Sequence, residues 1–146
     1  MREGIQSLLA ELGEGSCLAL CICEIGKPRL SEEEAIGFII KGIQKGYIYY
    51  DENNRNNPKN CFVENRDAFM DIVSGQKGWT SSTEKPDYRP RKDERIIECW
   101  RWNEKVNLKI INHTHFKLPN WDPYKNSNTL KYGYLESLRV FRRKAS

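Results

Sequence analysis

Gly15-Ser16-Cys17-Leu18-Ala19-Leu20-Cys21-Ile22-Cys23 is the stretch from which the rest of the chain is best read. Two small residues allow a sharp turn, and the apolar run behind them predicts a helix starting at Ser16 or Cys17. It runs to about Ile25, where Gly26 and Pro28 end it. Because the run is apolar nearly all round, that helix belongs in the centre of the fold. A helix start carries unsatisfied amides and the positive end of the dipole, which stabilise a thiolate and can hold an oxyanion. Cys17 is therefore the candidate nucleophile, with its own backbone amide as an oxyanion donor. Cys21 and Cys23, deeper in the run, read as small hydrophobes.

Upstream, Ile5, Leu8, Leu9 and Leu12 keep the spacing of one helical face, closed by Gly13. Downstream, Ser31 and Glu34 form a capping box, and Ile36, Ile39, Ile40 and Ile43 predict a buried stripe. Tyr47-Ile48-Tyr49-Tyr50 suggests a short strand, residues 53–60 a turn-rich loop, and residues 62–73 a further helix closed by Gly75. Residues 76–94, with Trp79, Pro86 and Pro90, read as a polar loop of the length that walls or closes a cleft. From there the texture is that of strands, over 96–102, 106–111, 115–118 and 134–142. In the second of these, Val106, Leu108 and Ile110 alternate with Asn107 and Lys109. Helices first and strands second predict an α+β fold, with helices packed on one face of an antiparallel sheet, in one domain over 1–146.

The chain has only two histidines, His113 and His115, in one spot. If that segment is extended, Phe116 and Leu118 share the core-facing parity and His115 points the other way, towards an open cleft, with His113 on the same side. A base needs a partner for its second ring nitrogen. Asp122, seven positions after His115, is within reach across a tight turn through Pro119 and Asn120. Asn120 is the competing orienter, since an amide can do the same work. A thiol at a helix start, an imidazole on a later strand and a carboxylate beyond it make up what a cysteine hydrolase needs.

Composition narrows the partners. The formal charge is +4, from 24 basic and 20 acidic residues, too mild to argue for a nucleic-acid binder. Its dense runs, residues 139–144 and Arg89-Pro90-Arg91-Lys92, read as solvated surface. No apolar run is long enough for a membrane span, and Glu3 and Glu11 speak against a signal peptide. Five cysteines, three of them within seven residues, fit reduced thiols in a cytoplasm rather than a disulfide framework.

With Cys17 at the mouth of a buried helix, then His115-Phe116, then Asp122-Pro123, the chain resembles the papain-like cysteine peptidase superfamily. Within it, the bacteriocin-leader peptidase branch is the most similar. Residues 121–129, with Gly133 and Arg139-Val140-Phe141, also resemble a small bacterial family associated with prophages and plasmids. The resemblance implies a papain-like fold with Cys17 as nucleophile, His115 as base, Asp122 as orienter and no cofactor. It implies as substrate a peptide or a peptidoglycan-like amide. Three positions depart from the pattern: Leu18-Ala19 stand where the branch has Gly-Pro, Thr114 where a glycine often precedes the histidine, and Gln6 is the one glutamine upstream of Cys17, farther off than an oxyanion glutamine should be.

Two other classes remain open on the residues. Cys17 and Cys21, one turn apart, with His113 and His115 would make a tetrahedral zinc set, although no Cys-x-x-Cys knuckle is present. A catalytically inactive papain-fold binding protein of prophage origin could instead use Trp79, Trp100, Trp102 and Trp121 to line a ligand groove.

Overall fold

A computed structural model describes Leu12 and residues 14–144. Of the helix expected upstream, only Leu12, packed against the core, falls among the described residues.

The central helix forms where the sequence places it. A single 3-10 turn, Glu14–Ser16, leads into α1, Cys17–Gly26, whose residues from Cys17 to Cys23 are all buried. The second helix, α2 (Glu32–Gln44), starts at the expected capping box, with the Ser31 side chain accepting from the Glu34 amide. Its inward face is one notch off the expected stripe. Ala35, Ile39 and Gly42 are buried, whereas Ile40 is 49 % exposed. Gly42 sets that face, because a Cβ there would stand 2.8 Å from Ile48 and 3.1 Å from Phe69. The third helix, α3 (Arg66–Ser74), is capped by Asn65 and ends on a left-handed Gly75.

Tyr47 to Tyr50 contribute a single bridge, Ile48 to Val63, rather than a strand. The expected loop over 76–94 is the larger correction. Its first part is strand β1, Trp79–Glu84. Alternation of a large core residue, Trp79, with small hydroxyls hid the strand in a polar composition.

The sheet has four antiparallel strands in the order β1, β4 (Tyr134–Arg143), β2 (Arg95–Val106), β3 (Lys109–Lys117). The strands expected over 106–111 and 115–118 are also redrawn. Asn107 takes a left-handed φ of 57° and turns a hairpin with Leu108, which is fully exposed. The apolar alternation of Val106, Leu108 and Ile110 thus crosses a turn, and both histidines lie on one strand, β3. A short helix, α4 (Asn128–Tyr132), packs on β2 and β3.

Register puts Trp79, Ser81 and Thr83 of β1, Arg139 and Phe141 of β4, Ile97 and Cys99 of β2 and Phe116 of β3 on one face. The core that includes Trp79, Ile97, Cys99, Phe116 and Phe141 is shared with α1 and α3. The expected α+β fold, helices against an antiparallel sheet, is what forms. Among the described residues no helix is long and apolar enough to cross a membrane.

Candidate active site

The 3-10 turn that leads into α1 is held against the loop over residues 51–60. A Cβ on Gly15 would lie 2.5 Å from the Asn60 carbonyl oxygen and 3.1 Å from that of Pro58, so only glycine fits. Asn60 is buried and closes its loop twice, accepting from the Asp51 amide at 2.7 Å and donating to the Asn54 carbonyl at 3.0 Å. Nothing in the sequence marked Asn60 beyond its membership of a turn-rich segment, yet it backs the turn into the nucleophile.

β3 is the outer strand of the sheet and α1 packs against it, which brings Cys17 to His115. The Cys17 sulfur lies 3.7 Å from His115 Nδ1. On the other side of the ring, Nε2 lies 2.8 Å from Asp122 Oδ1. The chain reverses at a tight turn, with the Leu118 amide donating to the Trp121 carbonyl at 2.7 Å, and so returns Asp122 alongside β3. The same carboxylate oxygen accepts from the Tyr124 amide at 2.9 Å, and Pro123 is buried behind it. The three residues expected to meet are therefore together. Asn120, the competing orienter, sits exposed at the tip of the turn. Gln6, the oxyanion candidate, lies outside the described residues.

A carboxylate on Nε2 holds the ring proton there and turns the basic lone pair of Nδ1 towards the sulfur. The parity expected for β3 holds, with Phe116 and Leu118 buried in the core. The open cleft does not: His115 is only 3 % and Cys17 only 7 % exposed, so the ring and the thiol sit in a tight, nearly dry contact. Beneath Cys17, burial pushes the Cys21 thiol well above its ordinary range, and the neighbouring Cys17 and Asp122 push the same way, against Lys117. Burial likewise raises Cys23 and carries Cys61 up to about 11. No disulfide joins the five cysteines, all of them among the described residues.

The zinc arrangement does not assemble. His113 stacks on Trp102 with ring centroids 4.9 Å apart, and its Nε2 is 3.8 Å from Glu104, away from the thiols. Among the described residues no group of three or more His, Cys, Asp or Glu side chains is placed to hold a metal. The four tryptophans do not share a groove either. Trp79 is core on β1, while Trp102, two strands away on β2, stacks on His113 and lies tilted against Tyr132 with ring centroids 5.3 Å apart. Nor do residues 76–94 wall the site. β1 is the edge opposite β3, and the segment after it is pinned to β4, where Glu94 accepts from Arg142 Nε at 2.7 Å and from Tyr88 at 2.7 Å. Compared with protein-family models, curated proteins and solved structures, the chain matches none.

Proposed function

We propose that the chain is a papain-like cysteine hydrolase acting on an amide or ester bond, with Cys17 as nucleophile, His115 as base and Asp122 as orienter. The observation that carries the reading is the continuous contact from thiol to imidazole to carboxylate, 3.7 Å and then 2.8 Å. Its setting supports it, with the thiol on the first turn of a buried helix and the imidazole on the strand against which that helix packs.

In the reaction, Nδ1 of His115 takes the proton from the Cys17 sulfur, and the thiolate attacks the substrate carbonyl carbon. The C–S bond forms as the carbonyl electrons move to oxygen. When that tetrahedral adduct collapses, the leaving amine or alcohol departs with the proton returned from His115. Water, deprotonated by the same ring, then clears the thioester and regenerates the thiol. Asp122 stays ionised throughout, holding the tautomer and stabilising the imidazolium. Five thiols without a disulfide suit a reducing cytoplasm.

An activated acetyl ester tests the reading. A burst of released alcohol, with an acetyl group found by mass spectrometry on Cys17 and absent from Cys17→Ala, is the expected result. A protein that folds yet forms no adduct on Cys17 is a binding protein built on the same fold.

A further inference from the structure

Arg101 is the last residue of β2 that pairs with β4; beyond it β2 and β3 run on alone as a hairpin arm, from the Trp102–His113 pair to the Val106–Lys109 pair. The end of that arm is apolar where turns are ordinarily polar. Leu108 holds the second place of the two-residue turn, a place that suits a small polar residue, and it is fully exposed. Behind it Val106, Ile110 and Ile111 are 40–62 % exposed. A lone exposed apolar side chain is ordinary, whereas a cluster of this kind marks a contact surface.

The cluster faces more than one way. Val106 and Ile111 share a face of the arm with His113, Ile110 lies on the opposite face, and Leu108 stands at the apex. A flat protein surface would cover one face and leave the other in water. A fluid apolar layer entered end-on covers all of them. Charge and depth fit such a layer. Lys105 and Lys109 flank the apex, one on each face, cross-strand from Ile110 and Val106. Among the described residues neither forms an ion pair. Glu104 is the one carboxylate of the arm and stands 3.8 Å from His113 Nε2. Lysine stems lie along apolar surface while their ammonium groups reach an anionic layer above it. From Leu108 to Ile111 the strand rises about 10 Å, close to the roughly 5–10 Å that interfacial segments enter a bilayer. The next cross-strand pair, Asn103 and Asn112, ends the apolar band.

We infer that the β2–β3 arm docks end-on onto an anionic phospholipid surface, with Val106, Leu108, Ile110 and Ile111 in the interface and Lys105 and Lys109 among the headgroup phosphates. This is surface attachment, which needs no helix that crosses the bilayer. The inference goes beyond the hydrolase reading and does not depend on it. Leu108 and His115 are separated by about 23 Å of strand, so the Cys17 centre stays clear of the lipid.

The full chain is sedimented with vesicles of phosphatidylcholine alone and with vesicles that also carry phosphatidylglycerol. The protein should pellet with the mixed vesicles far more than with phosphatidylcholine, and rising salt should release it. Leu108→Ser and Ile110→Ser should each weaken binding about tenfold or more, the effect of one large apolar side chain left out of the interface. Lys105→Gln and Lys109→Gln should each weaken it about fivefold, on the anionic vesicles alone. All four positions are exposed, so urea melts and Cys17 labelling of the variants should match the wild type. Wild type that stays in the supernatant, equal binding to both vesicles, or Leu108→Ser that pellets like the wild type overturns the inference. So does a dimer in analytical ultracentrifugation that Leu108→Ser dissociates and that ignores vesicles, because a second copy then covers the arm.

Discussion

Asp122 Oδ1 stands 2.8 Å from His115 Nε2, and this one contact decides which ring nitrogen faces the Cys17 sulfur. Removing it frees the imidazole to take the other tautomer, which points a proton at the thiol. Asp122→Ala should therefore lower kcat/KM for an activated ester by about 10²–10⁴, the range for a general base lost from its productive state. Asp122→Asn, which keeps an acceptor oxygen, should lose less. Asn120→Ala, at the exposed tip of the turn, should leave the rate unchanged. Steady-state kinetics on the three variants separate the two orienters.

Gly15→Ala should disturb both fold and site. The added methyl would stand 2.5 Å from the Asn60 carbonyl, a backbone atom that cannot swing aside. Overpacking of this kind costs about 1–3 kcal/mol. Denaturant melts should show the loss, and labelling of Cys17 should change in the same variant because the turn before it must shift.

Ser31→Ala tests a feature remote from the site. The side chain satisfies the Glu34 amide, while the return contact from Glu34 is to the Ser31 backbone amide, which alanine keeps, so one half of the cap is lost. A loss of about 1 kcal/mol in urea unfolding, with unchanged ester hydrolysis, is expected.

Acid unfolding should bear the mark of Glu94. Hydrogen bonds from the Arg91 amide, from Tyr88 and from Arg142 hold its carboxyl down to about 2, from an ordinary 4.5. A carboxyl depressed in the folded state adds stability above its unfolded value and loses it as pH falls through the folded one. Glu94 should therefore help the native state fully above pH 4.5 and cease to help near pH 2. Glu94→Gln should flatten the stability profile inside that window, read by urea melts at stepped pH.

The site was more legible in the sequence than the sheet that carries it. Cys17, His115 and Asp122 were readable because each sits at a locally punctuated place: small residues before a buried helix, a parity set by Phe116 and Leu118, and a Pro119-Asn120 turn. The strand over Trp79 to Glu84 was not readable, since its inward residues after Trp79 are Ser81 and Thr83 and its stability comes from pairing with β4. The hairpin was misplaced because Asn107 breaks the strand without breaking the apolar alternation. Ile40 turned outwards because the helix face is set by what Gly42 admits, a partner that spacing alone does not reveal. Asn60 and Arg139 act through contacts with residues 45 and 23 positions away in sequence, Asn60 on Gly15 and Arg139 over Phe116, where no local pattern reaches.

The central claim is that His115 activates Cys17, and the pH dependence of iodoacetamide labelling tests it most directly. In the native protein Cys17 should react faster at neutral pH than an ordinary exposed thiol. Cys21, Cys23, Cys61 and Cys99, whose thiols burial pushes up, should stay unlabelled until the chain unfolds. His115→Ala should slow Cys17 to the ordinary rate, and His113→Ala should not. Equal rates at Cys17 in the wild type and His115→Ala, at every pH from 5 to 9, spanning the ordinary range of histidine and cysteine, would contradict the account.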